Sequence, residues 1–293
     1  MELIKKTTIG LSLLASLFAA TQVSAALVTT ESNYFVRPGL RIGVGEFIDG
    51  LAVNGGTERT MLQGAVGYSE STVSLVDGTV KMYSEGYNTD QSLQTFGSFG
   101  ERITITNGAG TDWNFGFAVE GYLDVYGGGP INDAASNPYL YYNVGIAVYR
   151  AGQVNYDNFV NNPDYDPVFF DVIDTIDYLD GNEGYSYIEA FAEVFGSITL
   201  ESNYEQFDIF AYTNMIVDPA LGSGVESYVS DFSHTATYGQ SFDSGVEAFS
   251  SSGEFLGLRT PPPAPNNVSS PAGLGILGLG MACFMLGLKR RRC

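Results

Sequence analysis

The side chains able to do chemistry in this chain are mainly carboxylates and phenols. There are 33 Asp and Glu and 19 Tyr, against one histidine, His234, and two cysteines. A single histidine excludes a His-rich zinc site and paired-histidine catalysis by count. His234 sits in Phe232-Ser-His-Thr-Ala-Thr-Tyr238, and no Gly-x-Ser-x-Gly elbow accompanies it, so it reads as a structural side chain on a strand. Glu189 with Glu193, and Glu201 with Glu205, have the residue types of a glycosidase dyad. Glycoside hydrolysis needs two carboxylates ~5 to 9.5 Å apart across a sugar, and so acidic a chain offers such pairs by chance. Asn162, Asp164 and Asp166 alternate like the first half of a calcium loop. However, Pro167 stands where the loop needs glycine and Ile173 where it needs the bidentate acid, so this is no EF-hand. Calcium in some other geometry within residues 157–183 stays open beside a solvated acidic face. No other cofactor is expected. Tyr139, Tyr141 and Tyr142, and Tyr185 with Tyr187, suit a stacking platform for sugars, since tyrosine offers an apolar face and a polar rim.

These groups must be carried on strands. Leu40, Ile42 and Val44 alternate with Arg41 and Gly43. Val73–Val76 and Thr79–Tyr83 flank Asp77-Gly78, which predicts a hairpin with a type I′ turn. Arg102–Thr106 alternates, turns through residues 107–112, and resumes with Trp113, Phe115, Phe117 and Val119 on one face, where Trp113 is a core residue. Leu140, Tyr142, Val144, Ile146 and Val148 repeat the period of two. Further strands are expected over Tyr185–Leu200, Phe207–Ile216, Val225–Tyr238 and Gly245–Leu256. Phe169, Val172, Ile173, Ile176 and Leu179 instead fall at helical spacing. Asp166 as N-cap, Pro167 in the first turn and Gly181 beyond the end predict a short helix over 168–179, with Asp171, Asp174 and Asp177 outward. The expected fold is all-β, an antiparallel, jelly-roll-like sandwich with one short helix.

Charge narrows the partners. Two of the 13 Lys and Arg precede residue 26 and four follow residue 288, so seven remain between, against 32 of the 33 Asp and Glu, a balance of about −25. Nucleic acid is excluded as a partner, because its binding requires phosphate neutralisation by Lys and Arg. Anionic glycans are repelled unless divalent cations bridge them. Cys283 and Cys293 both lie near the C-terminus, so the region between carries no disulfide and no thiol nucleophile.

The two ends carry addresses. Lys5 and Lys6, the apolar stretch Ile9–Ala20 and Val23-Ser24-Ala25 form a signal peptide over residues 1–25, with signal-peptidase cleavage expected after Ala25. Residues 259–270 are a proline-rich spacer. After Pro271, Ala272–Leu288 is an apolar run of 17 residues, about 25 Å long as a helix and just under a ~30 Å hydrocarbon core. Lys289, Arg290, Arg291 and Arg292 follow and hold that end in the cytoplasm. Gly273, Gly275, Gly278 and Gly280 give the run an unusual glycine content, suited to a segment handed to a processing enzyme.

This arrangement resembles the PEP-CTERM sorting signal of Gram-negative bacteria: a Pro-Glu-Pro-type motif, a glycine- and leucine-rich membrane segment and a terminal arginine cluster. The resemblance covers residues 268–292, and the core motif falls on Ser269-Ser270-Pro271, of which Pro271 matches. It implies export across the inner membrane, a transient or permanent C-terminal anchor, processing by an exosortase-type enzyme, and delivery to the envelope or an exopolysaccharide matrix. The sandwich is then residues 26–258 and the sorting segment 271–293. The expectation is a non-catalytic matrix protein, with a glycan-binding module and a carbohydrate-active hydrolase as alternatives.

Overall fold

The computed structural model describes residues 34–43, 48–50, 52–53, 56–87, 91–128, 131, 138–153, 166–179, 184–220 and 224–261. Two antiparallel sheets make up nearly all of this. The first has six strands: β4 (Thr57–Gly64), β5 (Gly67–Ser74), β6 (Thr79–Tyr87), β8 (Asp112–Gly127), β11 (Tyr185–Thr199) and β13 (Val225–Phe242), in the order β11-β8-β13-β6-β5-β4. The second is built on β1 (Tyr34–Ile42), β7 (Leu93–Thr106), β9 (Tyr139–Arg150), β10 (Phe169–Tyr178) and β12 (Tyr204–Asp218), in the order β10-β9-β12-β7-β1. The short β2 (Ile48–Asp49) and β3 (Ala52–Val53) pair with β1, and β14 (Glu247–Ser250) pairs with β7. A single 3-10 turn, Phe255–Gly257, follows. Among the described residues there is no α-helix, and none is long and apolar enough to cross a membrane.

The sheets lie face to face, β10 on β11, β9 on β8, β12 on β13, and β7 on β5 and β6. Alternation along each strand supplies the inner layer. Trp113, Phe115, Phe117, Val119, Leu123 and Val125 of β8 are all buried. Trp113 meets Phe207 of the opposite sheet at 5.3 Å between ring centroids, and Phe99 meets Phe117 edge-on at 6.0 Å. Tyr142 packs on Phe232 at 5.8 Å. The 3-10 turn places Phe255, fully buried, against Phe99 and Tyr238.

Two local expectations are corrected. Residues 168–179 are not a helix but the edge strand β10, paired with β9 from Phe169↔Val148 to Tyr178↔Tyr139. The Val168 N–H donates to the Val148 carbonyl at 2.8 Å, so the chain joins the sheet where a helix would have begun. The β-branched run Val172, Ile173, Thr175 and Ile176 favours that pairing. At Asp77-Gly78 the hairpin exists, but the loop is Leu75–Gly78, closed by the Ser74↔Thr79 pair. The Gly78 N–H donates to Leu75 O, and Gly78 takes φ +61° while Asp77 keeps a negative φ. A type I′ turn needs positive φ at both central residues, so this is a four-residue loop ending in a left-handed glycine.

Candidate functional site

The outer face of the six-stranded sheet brings together the most distinctive side chains. Because β8 turns Trp113–Val125 inward at odd positions, its even positions Tyr122, Asp124 and Tyr126 point out. Register then sets their neighbours. Across β11, Tyr185 lies opposite Tyr126, Tyr187 opposite Asp124 and Glu189 opposite Tyr122. Across β13, Asp231 is opposite Tyr122 on one side and Tyr83 of β6 on the other. Across β5, Tyr68 is opposite Glu85 and Glu70 opposite Tyr83. Tyrosines and carboxylates therefore alternate along β8, as Tyr122, Asp124 and Tyr126, and across the row Glu189, Tyr122, Asp231, Tyr83 and Glu70.

Their contacts fix the pattern. Tyr122 stacks on Tyr187 at 6.0 Å, Tyr126 tilts on Tyr185 at 5.3 Å and Tyr68 on Tyr83 at 6.0 Å. The Tyr185 hydroxyl donates to Asp124 at 2.8 Å and the Tyr83 hydroxyl to Glu85 at 2.9 Å, while Tyr68 donates to Glu70. Glu70 also receives Arg59 at 2.6 Å, and that bond is the main reason its carboxyl titrates below the usual range. The hydrogen bond to Asp124 pushes the Tyr185 phenol up to about 12. Tyr122 is raised first by burial and then by the charges of Asp231 and Asp124. Tyr87, Tyr126, Tyr185 and Tyr187 each expose 44–48% of their surface.

A bulge aims the central carboxylate. Between Asp231 and Thr235 four residues of β13 span two of β8, and between Phe232 and Ala236 four span two of β6. Parity is kept, so Phe232 and Ala236 both stay buried and Asp231 stays outside. The Asp231 carboxylate accepts the Ser233 N–H at 2.8 Å, tying the turn of the bulge. Opposite it, a Cβ on Gly121 would come within 2.5 Å of the Phe232 ring and 2.7 Å of the Asp231 carbonyl, so only glycine fits. His234 lies in this bulge, and its side chain is outside the described residues.

The same face continues past the tyrosines into a shallow trough of about 730 Å³. Gly116, Ala118, Thr237 and Gly239 form its floor, with Phe195 as a wall. Phe191 and Phe195 are 60% and 66% exposed. From Tyr126 to Asn114 the face runs roughly 40 Å along β8, at ~3.4 Å per residue.

The outer face of the other sheet is different. Tyr141, Asn143, Tyr149, Phe210 and Asn214 on it are buried. Asp174 of β10 accepts Tyr141 at 2.7 Å and Asn143 at 3.3 Å, and Gln94 donates to Asn214 at 3.0 Å. The sequence-predicted platform Tyr139, Tyr141 and Tyr142 is thus split. Tyr142 points into the core and Tyr141 into this polar network, while Tyr185 and Tyr187 stand exposed as the other predicted pair.

The carboxylate pairs are also placed. Glu205 is buried, binds Arg150, and accepts the backbone N–H groups of Glu201 and Ser202. Glu201 reaches the same Arg150 at 3.3 Å. Glu189 and Glu193 share the exposed side of β11, four residues apart, or roughly 13 Å along an extended strand. Among the described residues no group of three or more His, Cys, Asp or Glu is placed to hold a metal ion. Asn162, Asp164, the cleavage residue Ala25, Pro271, Lys289, Arg290, Arg291 and Arg292 lie outside the described residues.

Sequence reasoning missed Tyr68, Tyr83, Tyr87, Tyr122 and Tyr126. A signal was present: Tyr83-Ser-Glu-Gly-Tyr87 and Tyr122-Leu-Asp-Val-Tyr126 both read Tyr-x-acid-x-Tyr, which a strand places on one face. The chain matches no protein-family model and no curated protein sequence.

Proposed function

We propose that this chain is an exported, non-catalytic component of a bacterial envelope or exopolysaccharide matrix, sorted by its C-terminal exosortase-type signal. It contacts polysaccharide through the outer face of the six-stranded sheet. The observation that carries this reading is the open surface of paired tyrosines interleaved with carboxylates. Tyrosine faces stack on the apolar faces of sugar rings, and the phenol and carboxylate oxygens meet hydroxyls at the rim. The surface is long and shallow, which suits an extended polymer better than a small molecule held in a closed pocket.

We read the topology as a jelly roll with added strands. In support, β6 to β13 run in the orders β11-β8-β13-β6 and β10-β9-β12-β7, and six of the seven connections change sheets, with one hairpin, β9–β10. Jelly rolls include lectin domains, although fold alone assigns no ligand. Support for export and sorting comes from the two ends of the sequence, with signal peptidase and an exosortase-type enzyme as the processing partners.

Two experiments test the proposal. Intact mass and location, in cells with and without their exosortase, are expected to show a species starting at Ala26 and lacking Arg290–Arg292, outside the inner membrane only when the enzyme is present. A full-length C-terminus retained in the membrane would overturn the sorting reading. Co-sedimentation with polysaccharide purified from the same matrix is expected to be saturable and lost on replacing Tyr122, Tyr126, Tyr185 and Tyr187 by Ala together. Equal sedimentation of this variant would overturn the stacking reading.

A further inference from the structure

We propose that the polymer recognised by this face is a cationic amino-sugar polysaccharide, rich in unacetylated glucosamine-type rings. The inference rests on the reading of the face as polysaccharide-binding and adds its ligand class. Tyrosine stacking alone would accept any sugar with an apolar ring face. What distinguishes this surface is the carboxylate set between the platforms. Asp231 lies between Tyr122 and Tyr83 in register, and Asp124 lies beside Tyr122 and Tyr126 on the same strand. A neutral sugar laid on the tyrosines would cover these carboxylates and offer only hydroxyl donors in return. An ammonium group returns a charge-assisted hydrogen bond, and the tyrosine faces beside it attract the same cation.

Spacing supports a polymer. Tyr122 and Tyr83 stand two strands apart, ~10 Å at ~4.8 Å per strand, about the length of a disaccharide. A chain crossing the strands would set alternate rings on the two platforms and bring the substituent between them over Asp231. The charge around the site agrees. Arg59, on the outermost strand β4, is paired with Glu70, Lys81 stands exposed two residues before Tyr83 on β6, and against these the region between the two end signals carries about −25 overall by count. A polyanionic polymer would be repelled, and a polycation is drawn in.

The test is calorimetric titration of the full-length protein with a glucosamine hexamer and an N-acetylglucosamine hexamer at one ionic strength. The expected result is tighter binding of the glucosamine hexamer by about ten-fold, the scale of one or two partly desolvated ion pairs. Replacing Asp124 and Asp231 by Asn is expected to erase the preference, so that the two hexamers bind with equal affinity. Replacing Tyr83 and Tyr122 by Leu is expected to weaken both hexamers, with thermal unfolding showing that each variant is folded. Equal, tyrosine-dependent binding of both hexamers would overturn the amino-sugar inference and leave the polysaccharide reading standing. Binding of neither would overturn both. Polylysine competing equally well, with no loss on tyrosine replacement, would reduce the effect to a diffuse field and overturn the inference.

Discussion

Tyr185 and Asp124, on neighbouring strands of the six-stranded sheet, are joined by a hydrogen bond of 2.8 Å that holds the phenol upright on the exposed face. The carboxylate resists the negative charge that ionisation would bring, so Tyr185 titrates at about 12 instead of 10. Asp124→Asn is expected to move the Tyr185 transition back toward 10, followed by the ring-carbon shift of labelled tyrosine. An unchanged transition would mean that the bond does not form in solution. Tyr185→Phe is expected to leave the urea-unfolding midpoint unchanged, as befits an exposed pair.

Glu101 is 1% exposed. One of its oxygens accepts the N–H groups of Arg102 at 3.0 Å, Ser251 at 2.9 Å and Ser252 at 3.2 Å. Burial outweighs these bonds and pushes the carboxyl up to about 7, from 4.5. The folded state therefore binds the proton more tightly than the unfolded chain. Stability contributed by the protonated form is full below pH 4.5, falls between 4.5 and 7, and is lost above. Glu101→Gln is expected to raise the urea-unfolding free energy at pH 8 by on the order of 3 kcal/mol, at ~1.4 kcal/mol per unit. Little change is expected at pH 4. Destabilisation at pH 8 would contradict this account.

Trp113, the only tryptophan, is fully buried, with Phe115 at 4.8 Å, Phe207 at 5.3 Å and Phe242 stacked at 6.1 Å. Trp113→Ala is expected to cost about 3–5 kcal/mol through the cavity it leaves. Its fluorescence is expected to be blue-shifted, to redden on unfolding, and to be unmoved by saccharide, because the ring faces the core and not the tyrosine surface.

Arg102 on β7 and Asp208 on β12 form a two-pronged pair at 2.6 and 2.9 Å, and Asp208 also accepts the Gly152 N–H at 2.7 Å. Asp208→Ala would strand the half-covered guanidinium and the amide, costing about 3 kcal/mol. A double-mutant cycle with Arg102→Leu is expected to recover much of that loss. Additive costs would show that the two residues act separately.

Much of the fold could be read from the sequence because inner strands keep strict alternation. The turn at 107–111 between β7 and β8, and the apolar face led by Trp113, follow from period two alone. Reading failed at β10 because an edge strand is covered on one side only. Phe169 packs edge-on against Phe115 at 5.1 Å, while Phe170, Ile173 and Ile176 are exposed. The apolar positions there no longer report one buried face, and a helical period fits them by accident. The tyrosine surface was half legible. Tyr185-Ser-Tyr187 stood out by itself, whereas its partners on β5, β6 and β8 join it only through pairings between residues far apart in sequence.

If polysaccharide lies on the tyrosine face, it shields those rings from hydroxyl radicals, and footprinting of the tyrosine side chains reads that shielding residue by residue. With matrix polysaccharide bound, oxidation of Tyr87, Tyr126, Tyr185 and Tyr187 is expected to fall several-fold, while Tyr178, more exposed still on the edge strand β10 of the other sheet, keeps its rate. Protection of Tyr178 with no protection of those four would place the polymer elsewhere and contradict the account.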